Sequence, residues 1–120
     1  MIALIIACII YTPQVGTIWG GEHIEIEITD RGATIEFDCA QGAIDGALAP
    51  DSNGHFEIAG TFTPERGPVR EGTSQTLKAT YSGAIKDDAM TLAVTIARND
   101  GPAPTYELIR GRAGHVRKCR

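Results

Sequence analysis

The stretch HIEIEITDRGATIEFDC, residues 23–39, alternates apolar with acidic or polar side chains through two runs, interrupted at Asp30, Arg31 and Gly32. A period of two places successive side chains on opposite faces of a strand, and the interruption is turn chemistry, so the stretch reads as an antiparallel hairpin. With Arg31 and Gly32 taken as the turn, Ile28 meets Ile35, Ile26 meets Phe37 and Ile24 meets Cys39, which makes one face wholly apolar. The other face then sets Glu27 against Glu36 and Glu25 against Asp38. Like charges placed opposite each other on a sheet are destabilising. The rest of the chain must therefore supply apolar surface to close over one face and cations to relieve the other.

The same period runs on from this hairpin, with Gly, Pro, Asn and Asp as punctuation and no helical stretch of useful length. It predicts strands over 22–30, 33–39, 42–49, 55–63, 75–86, 89–98 and 105–110, with a short last one at 115–119. One long irregular loop, TPERGPVREGTS, is expected over 63–74. A turn at Asp87 and Asp88 pairs Ile85 with Met90, Gly83 with Leu92, Tyr81 with Val94 and Ala79 with Ile96, again giving one apolar face. Seven or eight strands that are each half apolar must close on themselves or stack as two sheets. The expected fold is all-β, a small antiparallel up-and-down β-barrel, with a β-sandwich as the alternative.

The 120 residues suffice for one domain. The apolar leader MIALIIACII, within residues 1–15, is too short to span a bilayer, which takes about 20 apolar residues, but has the length of a signal-peptide core. Read as a truncated export or lipoprotein signal, it makes Cys8 a lipidation candidate, because IIAC has the residue types of a lipobox. An additional N-terminal strand or an apolar tail without a role are the alternatives. Residues 16–120 form the expected single barrel domain. Export implies an oxidising compartment, in which Cys39 and Cys119, two of the three cysteines, would bridge.

Net charge is −4, which gives no encouragement to a nucleic-acid partner. The charge is nevertheless polarised: acidic residues crowd 22–38 and basic ones crowd 98–120. The acidic patch of Glu25, Glu27, Glu36 and Asp38 is expected to be neutralised by a basic tail, with Arg112, Arg117, Lys118 and Arg120, laid along it and tied down by Cys119; a metal or basic-partner site on the same patch is the alternative.

Inside the barrel, Ile, Leu, Val and Phe provide most of the bulk, while Gly60, Ala79 and Gly83 are small. Two readings follow: a filled core, or a ligand cavity in which Tyr81 and Tyr106 supply polar handles. Trp19 precedes the first confident strand and Arg110 ends the last long one. Closure would bring the two together at one barrel end in a cation–π contact, or leave Arg110 as an anion clamp at the mouth. His23, His55 and His115 have no metal-ligand spacing, so neither metal nor cofactor is expected. DSNGH, residues 51–55, is a turn and lacks the downstream carboxylate of a calcium loop. No nucleophile context is present, and the expected protein is not an enzyme.

The segments IWGGEHIEIEITDRGATIEFDCAQGAI (residues 18–44), GHFEIAGTF (54–62) and YSGAIKDDAMTLAVTI (81–96) resemble small exported bacterial β-proteins of unassigned function. More distantly, Trp19 at the first strand with Arg110 at the last is similar to lipocalin and other calycin barrels, although two residues separate Gly16 from Trp19 where those barrels, with G-x-W, have one. That resemblance implies binding of a small apolar ligand or of a protein partner. The expectation is thus a non-enzymatic secreted or envelope-associated β-barrel. Its task is either to hold a small apolar molecule, with Tyr81, Tyr106, Arg110 and Trp19 as lining, or to act as a protein-interaction or inhibitor module around a filled core.

Overall fold

Eight strands succeed one another in the computed structural model, which describes residues 15–65, 76–97 and 103–118. They are β1 (Ile18–Gly21), β2 (Ile24–Thr29), β3 (Gly32–Phe37), β4 (Ala40–Asp45), β5 (His55–Pro64), β6 (Leu77–Lys86), β7 (Ala89–Ile96) and β8 (Thr105–Arg110). Each pairs antiparallel with the one before it, and β1 pairs with β8, so the sheet closes as an up-and-down barrel. The leader with Cys8, most of the 63–74 loop, Cys119 and Arg120 lie outside the described residues.

Two strand assignments differ from the sequence reading. The first strand is the short IWGG, whose two glycines erase any alternation; the barrel's need to close its edges, not local propensity, makes it a strand. The predicted strand at 115–119 is absent from its described part. His115 forms instead an isolated parallel bridge with Glu22, and residues 112–118 run as a strap outside the barrel.

The first hairpin also pairs in a different register. Its turn is Asp30 and Arg31, so Ile24 faces Phe37, Ile26 faces Ile35, Ile28 faces Ala33 and Thr29 faces Gly32. On the outer face Glu25 opposes Glu36 and Glu27 opposes Thr34, while Asp38 falls in the next turn. Gly32 explains the choice. It opens β3 at φ 151°, and a Cβ there would overlap the Ile44 carbonyl of β4, so glycine is needed as the first strand residue and not inside the turn. The Asp87 and Asp88 hairpin has the expected register throughout.

The inward faces meet in one core of Trp19, Ile24, Ile26, Ile28, Ile35, Phe37, Tyr81, Leu92, Val94 and Leu108, joined by Ile44, Leu48, Phe56 and Met90. Tyr81 is fully buried, and its hydroxyl donates to the Thr61 carbonyl at 2.5 Å. Gly60 does not leave a hole opposite it. A Cβ on Gly60 would lie 2.8 Å from Tyr81 Cε2, so the missing side chain is the space the phenol ring fills.

Candidate functional site

The meander puts the turns at 22–23 and 38–39 at one barrel end, together with the exit of β5 at Pro64 and Glu65. Both turns hold a non-glycine residue in left-handed backbone, His23 at φ 71° and Cys39 at φ 55°. That conformation costs free energy in most residues and here has a visible use. It aims each N–H at the strap: His23 N–H donates to the His115 carbonyl at 2.8 Å and Cys39 N–H to the Arg117 carbonyl at 3.0 Å. Carbonyls two residues apart form one edge of an extended segment, so the strap meets both turns with a single edge.

The strap reaches this rim from the opposite end. It leaves β8 at Gly111 and crosses β1 over Gly20, where any side chain would overlap the Arg112 carbonyl. Gly114 N–H then donates to Glu25 Oε1 at 2.9 Å, His115 N–H to the Gly21 carbonyl at 3.0 Å, and Arg117 N–H to Asp38 Oδ1 at 2.7 Å. Lys118 ends the described strap: its Nζ pairs with Glu36, lies 3.2 Å from Glu65 Oε1 and donates to the Ala40 carbonyl at 3.1 Å.

The carboxylate ladder is therefore relieved chiefly by backbone N–H groups and by one ammonium. The tail does lie along the acidic hairpin, as charge balance required. Arg117 contributes its main chain and, more weakly, its field on Asp38, while Arg112 lines the seam beside β8. Glu27 stands apart from the strap, between Ile18 and Thr34. The Arg117 N–H bond holds the Asp38 carboxyl below its ordinary value against the opposing effect of desolvation, and His23, with Nδ1 at 2.5 Å, adds to the lowering. Partial burial alone would depress the Lys118 ammonium; its bonds to Glu36 and Glu65 outweigh that and raise it.

Of the residues expected to line a cavity, the structure gathers Trp19 and Arg110 at one end. Trp19 is fully buried, Arg110 Cζ lies 5.0 Å from the indole centroid, and the guanidinium reaches Asp88 at 3.5 Å and the Asp87 carbonyl at 3.3 Å. Arg110 is thus a rim lid on the indole, in the place that barrel closure predicts. Tyr106 lies toward the other end, stacked obliquely on Phe37 at 5.5 Å, which in turn meets Phe62 at 5.3 Å. Tyr81 sits in the packed interior. The four do not converge on one space.

The grooves described among these residues are external. One, of about 820 Å³, runs along the β1 and β8 seam beside the strap, with Glu22, His23, Glu107, Ile109, Arg112 and His115 on its walls. A smaller one of about 370 Å³ adjoins it between the strap and Asp38. A third, of about 540 Å³, lies by the small residues of β5, β6 and β7, among them Ala59, Thr80 and Thr95. None of the three is lined by Trp19, Tyr81 or the branched aliphatic core.

Sequence reasoning separated the histidines, yet the fold brings His23 and His115 together through a main-chain bond and pairs each with a carboxylate, His23 with Asp38 and His115 with Glu22 at 3.6 Å. Among the described residues no three His, Cys, Asp or Glu side chains form a metal-holding group. The DSNGH turn closes on itself: Asp51 Oδ1 accepts the N–H groups of Asn53 and His55, each at 2.9 Å, which also holds the Asp51 carboxyl below its ordinary value. Set beside protein-family models, curated proteins and solved structures, the chain matches none of them.

Proposed function

We propose that the protein is a non-enzymatic interaction module, secreted or held at the cell envelope, that recognises its partner with the outside of a filled barrel. The observation that carries this reading is Tyr81: this fully buried polar handle of the interior already bonds to Thr61, and its ring occupies the space beside Gly60. A ligand inside the barrel would have to displace packed side chains. The external groove of about 820 Å³ needs no such rearrangement and is walled by charged and polar groups beside the exposed Ile109.

Export is supported by the leader over residues 1–15, with Cys8 as a lipid anchor in its lipoprotein form. It is supported too by the placement of Cys39 against Arg117, two residues from Cys119 in the chain. The rival, an apolar ligand held within, is separated by titrating the purified protein with a long-chain fatty acid or an anilinonaphthalene dye while following Trp19 emission. No saturable binding is the expected result. Stoichiometric binding that perturbs Trp19 would overturn the filled-core reading.

A further inference from the structure

β8 is longer than the strand that closes the barrel against it. β7 pairs with Thr105–Ile109, whereas β1 meets only Ile109 and Arg110 before the chain turns away at Glu22. Hydrogen bonds near the strand ends fix which way each main-chain group of β8 points. Arg110 N–H donates to the Asp88 carbonyl, and Val94 N–H of β7 donates to the Pro104 carbonyl, which assigns the even-numbered residues to the β7 side. Gly111 N–H donates to the Ile18 carbonyl, which assigns the odd-numbered ones to the seam. Ile109 finds Gly20 there, but Thr105 and Glu107 have no register partner in β1.

The edge that these two residues form lies along the groove of about 820 Å³. The facing wall is the strap, held in place by its main-chain bonds to both turns, so the groove stands open with the strap seated. An unpaired strand edge in an open groove is a template for an extended peptide, which joins through main-chain bonds and is selected through side chains. The walls supply that selection. Glu107 and Arg112 are exposed, and among the described residues neither forms an ion pair. Between them in the chain is Ile109, 37% exposed because its register partner is Gly20, where any side chain would overlap the Arg112 carbonyl.

We propose that the β8 edge is a docking site for an extended segment of a partner protein, added antiparallel to Thr105–Glu107. Antiparallel is the sense in which β1 and β7 both meet β8, and it makes the incoming segment pass Arg112, Ile109 and Glu107 in that order. Charge complementarity then sets the partner's chemistry: an acidic residue to answer Arg112, an apolar one to cover Ile109, and a lysine or arginine to pair with Glu107. The inference rests on the reading of the protein as an interaction module and gives that module its binding edge and its partner class.

The test uses the full chain and a fluorescently labelled peptide, DTVTKTT, with KTVTDTT as its charge-exchanged control. In the free protein the amides of Thr105 and Glu107 are expected to exchange at least tenfold faster than those of Tyr106 and Leu108, which face β7. Excess DTVTKTT should slow the first pair at least tenfold and leave the second unchanged. It should also bind at least fivefold more tightly than KTVTDTT, and Glu107→Lys combined with Arg112→Glu should invert that preference. Trp19 emission characteristic of a buried indole certifies that the double variant is folded. Thr105 and Glu107 already protected in the free protein would mean that the edge is taken, by the leader or by a second copy, and would overturn the docking site. Unchanged exchange with the peptide in excess, or equal affinity of the wild type for the two peptides, would overturn it as well. None of these results touches the filled-core reading, which stands or falls on the apolar-probe titration.

Discussion

Trp19 and Arg110 are register partners across the seam that closes the barrel, and the guanidinium of one covers the fully buried indole of the other at 5.0 Å. Because Arg110 also binds Asp88 and the Asp87 carbonyl, the same side chain ties the turn between β6 and β7 to that seam.

Arg110→Ala therefore removes a cation–π contact worth about 0.5–2 kcal/mol together with the stem that shields the indole. Denaturant unfolding followed by Trp19 emission should show a loss of about 1–2 kcal/mol. Lysine at this position, which keeps the charge without the planar fork, recovers part of it. An unchanged midpoint in Arg110→Ala would mean that the contact is ornamental.

Tyr81→Phe removes the hydroxyl's bond to the Thr61 carbonyl and should cost about 0.5–1.5 kcal/mol, the net worth of a typical intramolecular hydrogen bond. Burial, with a smaller effect of Tyr106, pushes the Tyr81 phenol far above its ordinary value of 10.0. A raised phenol favours the neutral folded form, so its contribution is complete below pH 10 and is lost as pH rises beyond it. Spectrophotometric titration should find a phenol that ionises only together with alkaline unfolding.

The strap's hold should weaken at both extremes of pH. Asp38 is lowered, so its contribution is complete above 3.8 and disappears as pH falls through the depressed folded value. Lys118 is raised, so its contribution is complete below 10.5 and disappears as pH climbs through the elevated one. Amide exchange at Gly114, His115 and Arg117 should outpace that of β6 and β7 in acid. Asp38→Asn should bring the same acceleration at neutral pH while costing under about 1 kcal/mol of global stability, as befits an exposed pair.

Cys39 and Cys119 are expected to be disulfide-linked. The Cys39 N–H bond to Arg117 already brings the chain within two residues of the second cysteine. Alkylation without reductant, read by intact mass, should leave both unmodified; modification of both would refute the link. By loop-entropy arithmetic the bond contributes roughly 4 kcal/mol, which reduction should expose as a lowered melting temperature.

Alternation in HIEIEITDRGATIEFDC and a clean second register at Asp87 and Asp88 made the barrel legible. Parity also hid its own limit. A register shift of two residues leaves every side chain on the same face, so facing alone does not tell the Arg31 and Gly32 turn from the Asp30 and Arg31 turn that forms. The steric demand of Ile44 on Gly32 decides it, and that neighbour belongs to another strand. IWGG was illegible for a related reason, since its strand character comes from closure with β8. The acidic ladder and the basic tail were readable as charges, but not the agents of their meeting. Backbone N–H groups carry no sequence signature, and the left-handed His23 and Cys39 that present two of them sit at positions where glycine or asparagine is the usual signal.

The seam that Trp19 and Arg110 share has a kinetic meaning. Only two register pairs bridge β1 to β8, and they join segments some 90 residues apart, whereas each other ladder joins strands adjacent in the chain. In the reduced chain, closing a loop of that length costs about 4 kcal/mol in chain entropy before its contacts return anything, so hairpins assemble first and the seam zips last. Contacts formed after the folding barrier act on escape from the native state and not on arrival. Arg110→Ala should accordingly quicken unfolding and leave the refolding rate nearly unchanged, which makes this narrow seam the latch that sets the lifetime of the closed barrel.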